Sequence, residues 1–285
     1  MFSNITVVNV DGRIGDNLST QMALLYSQSK LPGSKSLLIA PQEPKITIGN
    51  FDFAKIDPLD YSAYSIFMLY KLHNFINTEF ALIIQDDGWV INEKAWSKNY
   101  FSYDYLGAPT HLARRKLGEL YSYYKNYTWV KDYCISPENF EVVLNGGFSL
   151  RSKKLLELPE AKSMKFIIDP PDPKIKSSLA WSQDPLLEDV QICLQLRTQL
   201  EAYGIKFPEI EIAKKFSIEH IDLNFHDKLD LMDVFGHHSK LRKICSLNPI
   251  TIEYQISEEN IYKLPGEIYI YQMFKKLGYR IKFSA

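Results

Sequence analysis

The chain has 285 residues, with 33 Lys and Arg against 34 Asp and Glu, and this balance excludes a general electrostatic binder of nucleic acid. Its three cysteines, Cys134, Cys193 and Cys245, are too few and too widely spaced for a zinc site or a disulfide framework, so a reducing compartment is expected. No apolar stretch approaches the roughly 18 residues of a membrane span, and Met1-Phe2-Ser3-Asn4 does not open a signal peptide.

In chain order, residues 5–10 are β-branched and read as a first strand. The loop Asp11-Gly12-Arg13 follows, and Asp16 is placed to cap a helix with Leu18, Met22 and Leu25 on its apolar face. Residues 36–40 and 45–48 read as second and third strands, 61–76 as a second helix, and 81–85 as a further strand. This order predicts an α/β fold with a mostly parallel central sheet and helices on both faces. Residues 103–109 read as another strand and 111–139 as a helical insertion. Residues 142–151 read as one strand whose paired glycines mark a bulge or the approach of a ligand. The Pro- and Lys-rich stretch 162–184, with Trp181 near its end, suits a lid or a disordered segment, and a lid that closes over the ligand is expected. Asp184-Pro185 opens a helix with Glu188 and Asp189 in its early turns and Gly204 past its end. A strand is expected at 207–212 and a strand–helix–strand unit at 251–283. The organisation implied is one domain over 1–240, in halves 1–110 and 111–240, with 241–285 as an extension packed on it.

The run Phe80-Ala81-Leu82-Ile83-Ile84 leads straight into Gln85-Asp86-Asp87-Gly88. In an open α/β sheet, ligands sit beyond the carboxyl ends of strands, where acids can hold a divalent cation against a diphosphate. Alternation puts Gln85 and Asp87 on one side and Asp86 on the other. Gln85 stands where an Asp-x-Asp pair would have its first acid, and the same residues also suit a solvated turn. Glu188 and Asp189 are candidates for a base that takes a hydroxyl proton, or serve only to complement a helix dipole. His238 could complete a metal shell, and its nitrogen beside carboxylate oxygen suits Mn²⁺ or Mg²⁺; a His pair in a loop is also commonly structural. No phosphate-binding glycine loop, Gly-x-Ser-x-Gly elbow or His-Glu-x-x-His run is present, which weakens kinase, dehydrogenase, serine hydrolase and zinc protease readings.

Several runs, taken in order, resemble the GT-A-fold glycosyltransferases: Ile84-Gln85-Asp86-Asp87-Gly88-Trp89, Tyr103-Asp104-Tyr105-Leu106-Gly107, Asn145-Gly146-Gly147-Phe148-Ser149, Glu188-Asp189-Val190 and Phe235-Gly236-His237-His238. More closely, they resemble a mostly bacterial group of candidate glycosyltransferases first defined as a domain of unknown function. The resemblance implies a single GT-A-like (Rossmann-like) domain. It implies a nucleotide-diphosphate sugar as donor, held by Asn9, Asp11, Arg13, Gln85, Asp86 and Asp87. Asp87 and His238 would bind Mn²⁺ or Mg²⁺, and Asn145, Gly146, Gly147 and Trp181 would surround the donor and acceptor sugars. Asp189, with Glu188 beside it, would be the base of an inverting transfer to a glycan, lipid-linked glycan or protein. Such an enzyme is expected in the cytoplasm, or peripheral at the inner membrane, with no transmembrane segment and no nucleic-acid partner. Two readings compete with it. A non-catalytic sugar- or nucleotide-binding module would leave these groups more than about 10 Å from a common pocket. A sugar-phosphate nucleotidyltransferase needs a Gly-rich signature that is not evident after Val10.

Overall fold

In the computed structural model, which describes residues 2–15, 18–118, 120–167 and 186–284, β1 (Ile5–Val10) is buried along its whole length. A β-branched apolar run covered on both faces belongs in the middle of a parallel sheet. β2 (Lys35–Ala40) sets Leu37 beside Val8, β3 (Asp52–Lys55) lies parallel beyond β2, and β4 (Phe80–Ile84) sets Ile83 beside Val8 from the other side. Side chains alternate between two cores. Ile5, Val7, Leu82 and Ile84 pack with Ala23 and Leu24 of α1 (Leu18–Ser29). Val8, Val10, Ala81 and Ile83 pack with Phe67 and Met68 of α2 (Tyr61–Tyr70), which Asp60 caps by accepting the Ala63 N–H at 2.8 Å. The carboxyl ends of β1 and β4 therefore share one edge. The strand expected at 45–48 is a loop, because Gln21 donates to the Ile46 carbonyl at 3.0 Å and accepts the Ile48 N–H at 3.2 Å. One side chain satisfies the backbone that a ladder would have satisfied.

Beyond β4 the parallel order breaks. β5 (Gly88–Val90) follows a tight turn at Gln85, and β6 (Tyr105–Leu106) leads to β7 (Pro109–Leu117). β7 pairs antiparallel with β8 (Leu120–Tyr124) across Gly118 and with β9 (Phe140–Leu144) on its other side. β10 (Ser149–Ser152) returns antiparallel to β4, with Leu150 opposite Leu82, and carries β6 on its outer edge. The central sheet thus has the order β3-β2-β1-β4-β10-β6 and is mixed, and three smaller sheets stand beside it. This overturns the expected single GT-A-like, Rossmann-like domain on a mostly parallel sheet, although the class remains mixed α/β. The parallel order ends because the chain leaves this sheet after β4: residues 85–148 build mostly other sheets, and β10 then comes back from the far end of that excursion, antiparallel to β4.

Three local expectations are also corrected. Residues 111–139 form the β7–β8 hairpin and a short helix, Val130–Tyr133, rather than a helical insertion. Tyr121-Ser122-Tyr123-Tyr124 favours a strand, and the Arg114 guanidinium lies 3.9 Å over the Tyr121 ring from the paired strand. Residues 142–151 are split between β9 and β10, because Asn145 Oδ1 accepts the N–H groups of Gly147 at 2.7 Å and Phe148 at 3.3 Å. That Asx turn passes the chain from one sheet to another. The strand expected at 207–212 is replaced by the helix Ile210–Phe216, begun just after Pro208.

β11 (Ser217–Ile218) runs parallel to β12 (Gly236–His238), which lies antiparallel to β5 with His238 opposite Gly88. A β-carbon at Gly88 would come within 2.8 Å of the His237 carbonyl, so glycine permits this approach. The C-terminal segment forms β13 (Arg242–Leu247), β14 (Ile250–Tyr254), the helix Glu267–Lys276 and β15 (Arg280–Phe283). It is tied to the rest through Tyr279, whose hydroxyl accepts from Trp89 Nε1 at 3.3 Å. The helix Glu188–Val190 continues through a wide turn, where the Leu196 N–H reaches the Gln191 carbonyl at 2.7 Å, and helical structure ends before Gly204. Asp16 and Asp184-Pro185, the expected helix starts, lie outside the described residues. Among the described residues no helix is long and apolar enough to cross a membrane.

Candidate active site

A cavity of about 500 Å³ opens where the carboxyl ends of β1 and β4 meet the Asn145 turn and the helix Glu188–Val190. That volume suits a small organic ligand. Of the residues singled out in the sequence, Asn9, Asp11, Arg13, Gln85, Asp86, Asn145, Gly146, Gly147, Glu188, Asp189 and His238 line it. Asp87 sits behind His238 and is not among the lining residues. Trp181 and most of the stretch 162–184, the expected lid, lie outside the described residues.

The pairing of β12 with β5 carries His238 to the end of β4. Its Nε2 comes 3.0 Å from Gln85 Oε1 and 3.2 Å from Asp87 Oδ1. Gln85 donates its amide to the Tyr64 hydroxyl at 2.9 Å, which aims the amide oxygen at the imidazole. Glu219, just past β11, places Oε1 3.8 Å from His238 Nδ1. Burial would lower the His238 pKa, but Asp87 and Glu219 lift it to about 10. Burial would raise the Asp87 carboxyl, and the charge of His238 overcomes that and holds it below its ordinary range. Gly147 passes directly beneath, since a β-carbon there would lie 2.4 Å from His238 Nε2 and 2.6 Å from Gln85 Oε1. His237 faces the other way, buried against Trp89 with ring centroids 4.1 Å apart.

Asp87 Oδ1, His238 Nε2 and Gln85 Oε1 form a mixed oxygen and nitrogen set of the kind that suits Mn²⁺ or Mg²⁺. Asp87 Oδ1 is buried and already faces His238 Nε2 at 3.2 Å, so a cation bound here would take over that oxygen from the imidazolium. Among the described residues no three His, Cys, Asp or Glu side chains gather as a metal cage, so Gln85 has to serve as third donor. A metal here would also displace the proton on His238.

On the opposite side of the β4 end, as strand alternation requires, Asp86 faces Arg13 and Lys243. Arg13 forks onto the buried Asp11, which also accepts from the Thr20 hydroxyl at 3.0 Å. Asn9, at the end of β1, leaves its amide Nδ2 buried without a hydrogen-bond acceptor at the cavity wall.

The adjacent acids Glu188 and Asp189 have different tasks. Glu188 Oε1 accepts from Arg151 Nη2 at 2.9 Å. Arg151 is fully buried and also donates to the Gly146 carbonyl at 3.3 Å and the Ser149 hydroxyl at 3.0 Å. Glu188 is therefore locked as the partner of a buried cation. Asp189 Oδ2 accepts the Gly146 N–H at 3.2 Å and Oδ1 accepts the Val190 N–H at 2.8 Å. Burial, and then the charge of Glu188, push its carboxyl up to about 7. Such a group ionises near neutrality and can take a proton there.

Tyr64, Arg151, Glu219 and Lys243 were not singled out from the sequence. Arg151 alternates with Ser149 on the polar face of Phe148-Ser149-Leu150-Arg151, so the sequence does not mark it as buried. The other three reach the site by long-range packing and leave no local mark.

A family model described as "Protein of unknown function (DUF5672)" matches residues 53–238. The match includes the turn at Gln85, the Asn145 turn, the acids Glu188 and Asp189, and His238, but neither Arg13 nor Lys243. No curated protein matches the chain.

Proposed function

The chain belongs to the DUF5672 family, and from its site we propose that it is a glycosyltransferase acting on a nucleotide-diphosphate sugar and an acceptor hydroxyl. The observation that carries this reading is Asp189, a carboxyl lifted to about 7 in the wall of a cavity that Gln85, Asp86, Arg13 and His238 also line. A shared cavity favours catalysis over a binding module, since a base needs hydrogen-bond reach to its substrate. Asp189 takes the proton of the acceptor hydroxyl as that oxygen bonds to the anomeric carbon. The carbon–oxygen bond to the diphosphate breaks, its electron pair leaves with the nucleoside diphosphate, and one direct displacement inverts the anomeric centre.

Asp87, His238 and Gln85 would hold Mn²⁺ or Mg²⁺, which would supply charge stabilisation to the leaving diphosphate. The Gly146 N–H fixes the orientation of Asp189, and the Arg151–Glu188 pair fixes Gly146. Cys134, Cys193 and Cys245 are free thiols, which supports a cytoplasmic setting. The acceptor proposed is a glycan, lipid-linked glycan or protein hydroxyl.

The pH dependence tests the assignment. Asp189 must be ionised to act, so acceptor-dependent release of nucleoside diphosphate should rise about tenfold per pH unit below about 7 and level off above it. Stability should move the other way. The folded carboxyl holds its proton up to about 7 and the unfolded one only to about 4, so this group's stabilisation is complete below about pH 4 and is lost as pH rises through 7. A rate independent of pH from 5 to 8 would reject Asp189 as the base.

A further inference from the structure

Two cations distant in sequence converge on one oxygen beside the cavity. Arg13 Nη2 lies 3.2 Å and Lys243 Nζ 3.0 Å from Asp86 Oδ2. The Ser19 hydroxyl, in the first turn of α1, lies 3.4 Å from the same atom. Arg13 is fixed in place by its fork onto Asp11, with Nε 2.7 Å from Oδ1 and Nη2 3.0 Å from Oδ2. The Arg13 side chain is 57% exposed and that of Lys243 34%, whereas Asp86 is only 12% exposed. The carboxylate therefore lies between two cations that still reach solvent. Like charges so close repel each other, and the anion between them offsets that repulsion.

We propose that Arg13 and Lys243 form a diphosphate clamp in which the ligand's oxygens take the place that Asp86 Oδ2 occupies between them. The proposal rests on the glycosyltransferase reading for the identity of its donor, and it names the part of that donor the protein grips. The Nε and Nη2 fork of Arg13 is held by Asp11, so its outer N–H groups, the ones that face Asp86, would meet the phosphate oxygens. The Lys243 ammonium adds a point charge beside them, so the pair can engage neighbouring phosphates. Asp86 is then a resident anion that holds the clamp together when empty and competes with the ligand when it arrives. Lys243, from β13, gives the C-terminal segment a part in the site that nothing in its sequence announces.

Calorimetry on the full chain in EDTA, with inorganic pyrophosphate and orthophosphate as probes, isolates the clamp from any metal. Pyrophosphate should bind more tightly than orthophosphate. Lys243→Gln and Arg13→Gln should each weaken pyrophosphate by about tenfold or more, the worth of a charged hydrogen bond. Asp86→Asn should strengthen it, because the competing charge is gone, and a merely structural Asp86 would give no such gain. Both cationic side chains are exposed enough for the variants to fold, which circular dichroism checks. Wild-type pyrophosphate affinity in both cationic variants, or weaker binding by Asp86→Asn, would overturn the clamp. If nucleotide sugars are turned over while pyrophosphate binding ignores these changes, the clamp fails and the transferase stands. If the variants lose pyrophosphate and no nucleotide sugar is consumed, the clamp stands and the transferase fails.

Discussion

Asp189→Asn is expected to slow sugar transfer by about 10²–10⁴ while donor affinity stays near that of the wild type. The amide keeps the size of the carboxyl and one of its two acceptor oxygens. One of the N–H groups of Gly146 and Val190 would still be accepted, and the change at the turn is small. The amide cannot accept the acceptor's proton at any pH, so the rise through pH 7 should vanish with the rate. Glu188 is poorly placed to substitute, because Arg151 already engages its Oε1 at 2.9 Å. Transfer within a few-fold of wild type in the Asn variant would remove Asp189 from the mechanism.

The largest loss of stability should come from Arg151→Met, about 3–5 kcal/mol by urea unfolding. Arg151 has no exposed surface and joins Glu188, the Gly146 carbonyl and the Ser149 hydroxyl. Methionine fills much of the space but leaves Glu188 as a buried carboxylate without its partner, and that uncompensated charge is the main cost. The double variant Arg151→Met with Glu188→Gln should recover a substantial part of the loss, because the stranded charge is then gone. A single variant within about 1 kcal/mol of wild type would mean that the pair contributes little and that Gly146 is held by other contacts.

The strands that frame the cavity were legible because their apolar runs are continuous. Both β1 and β4 read directly as buried strands, and the chemistry-bearing residues follow at their carboxyl ends. Strand alternation also separated Asp86 from Gln85 and Asp87 correctly. What the sequence left hidden depends on pairing between distant segments. The antiparallel return of β10 onto β4 is set by where Leu150 meets Leu82, and no local pattern encodes that meeting. The choice between His237 and His238 is likewise a matter of register: one residue faces Trp89 in the core and the next faces Gln85 and Asp87. The glycines after Asn145 mark a bulge or a ligand's approach in the sequence; in the fold they line the cavity and pack closely on its side chains, Gly146 against Glu188 and Gly147 against His238.

The most direct measurement is incubation of the chain with a panel of nucleotide sugars, scored for nucleoside diphosphate release with and without Mn²⁺. A glycosyltransferase consumes at least one of these donors, releases one nucleoside diphosphate per sugar transferred, does so faster with Mn²⁺ and an acceptor glycan, and loses this activity in Asp189→Asn. Saturable binding of a nucleotide or sugar with no diphosphate release from any donor, with or without metal, would contradict that function and make the protein a binding module.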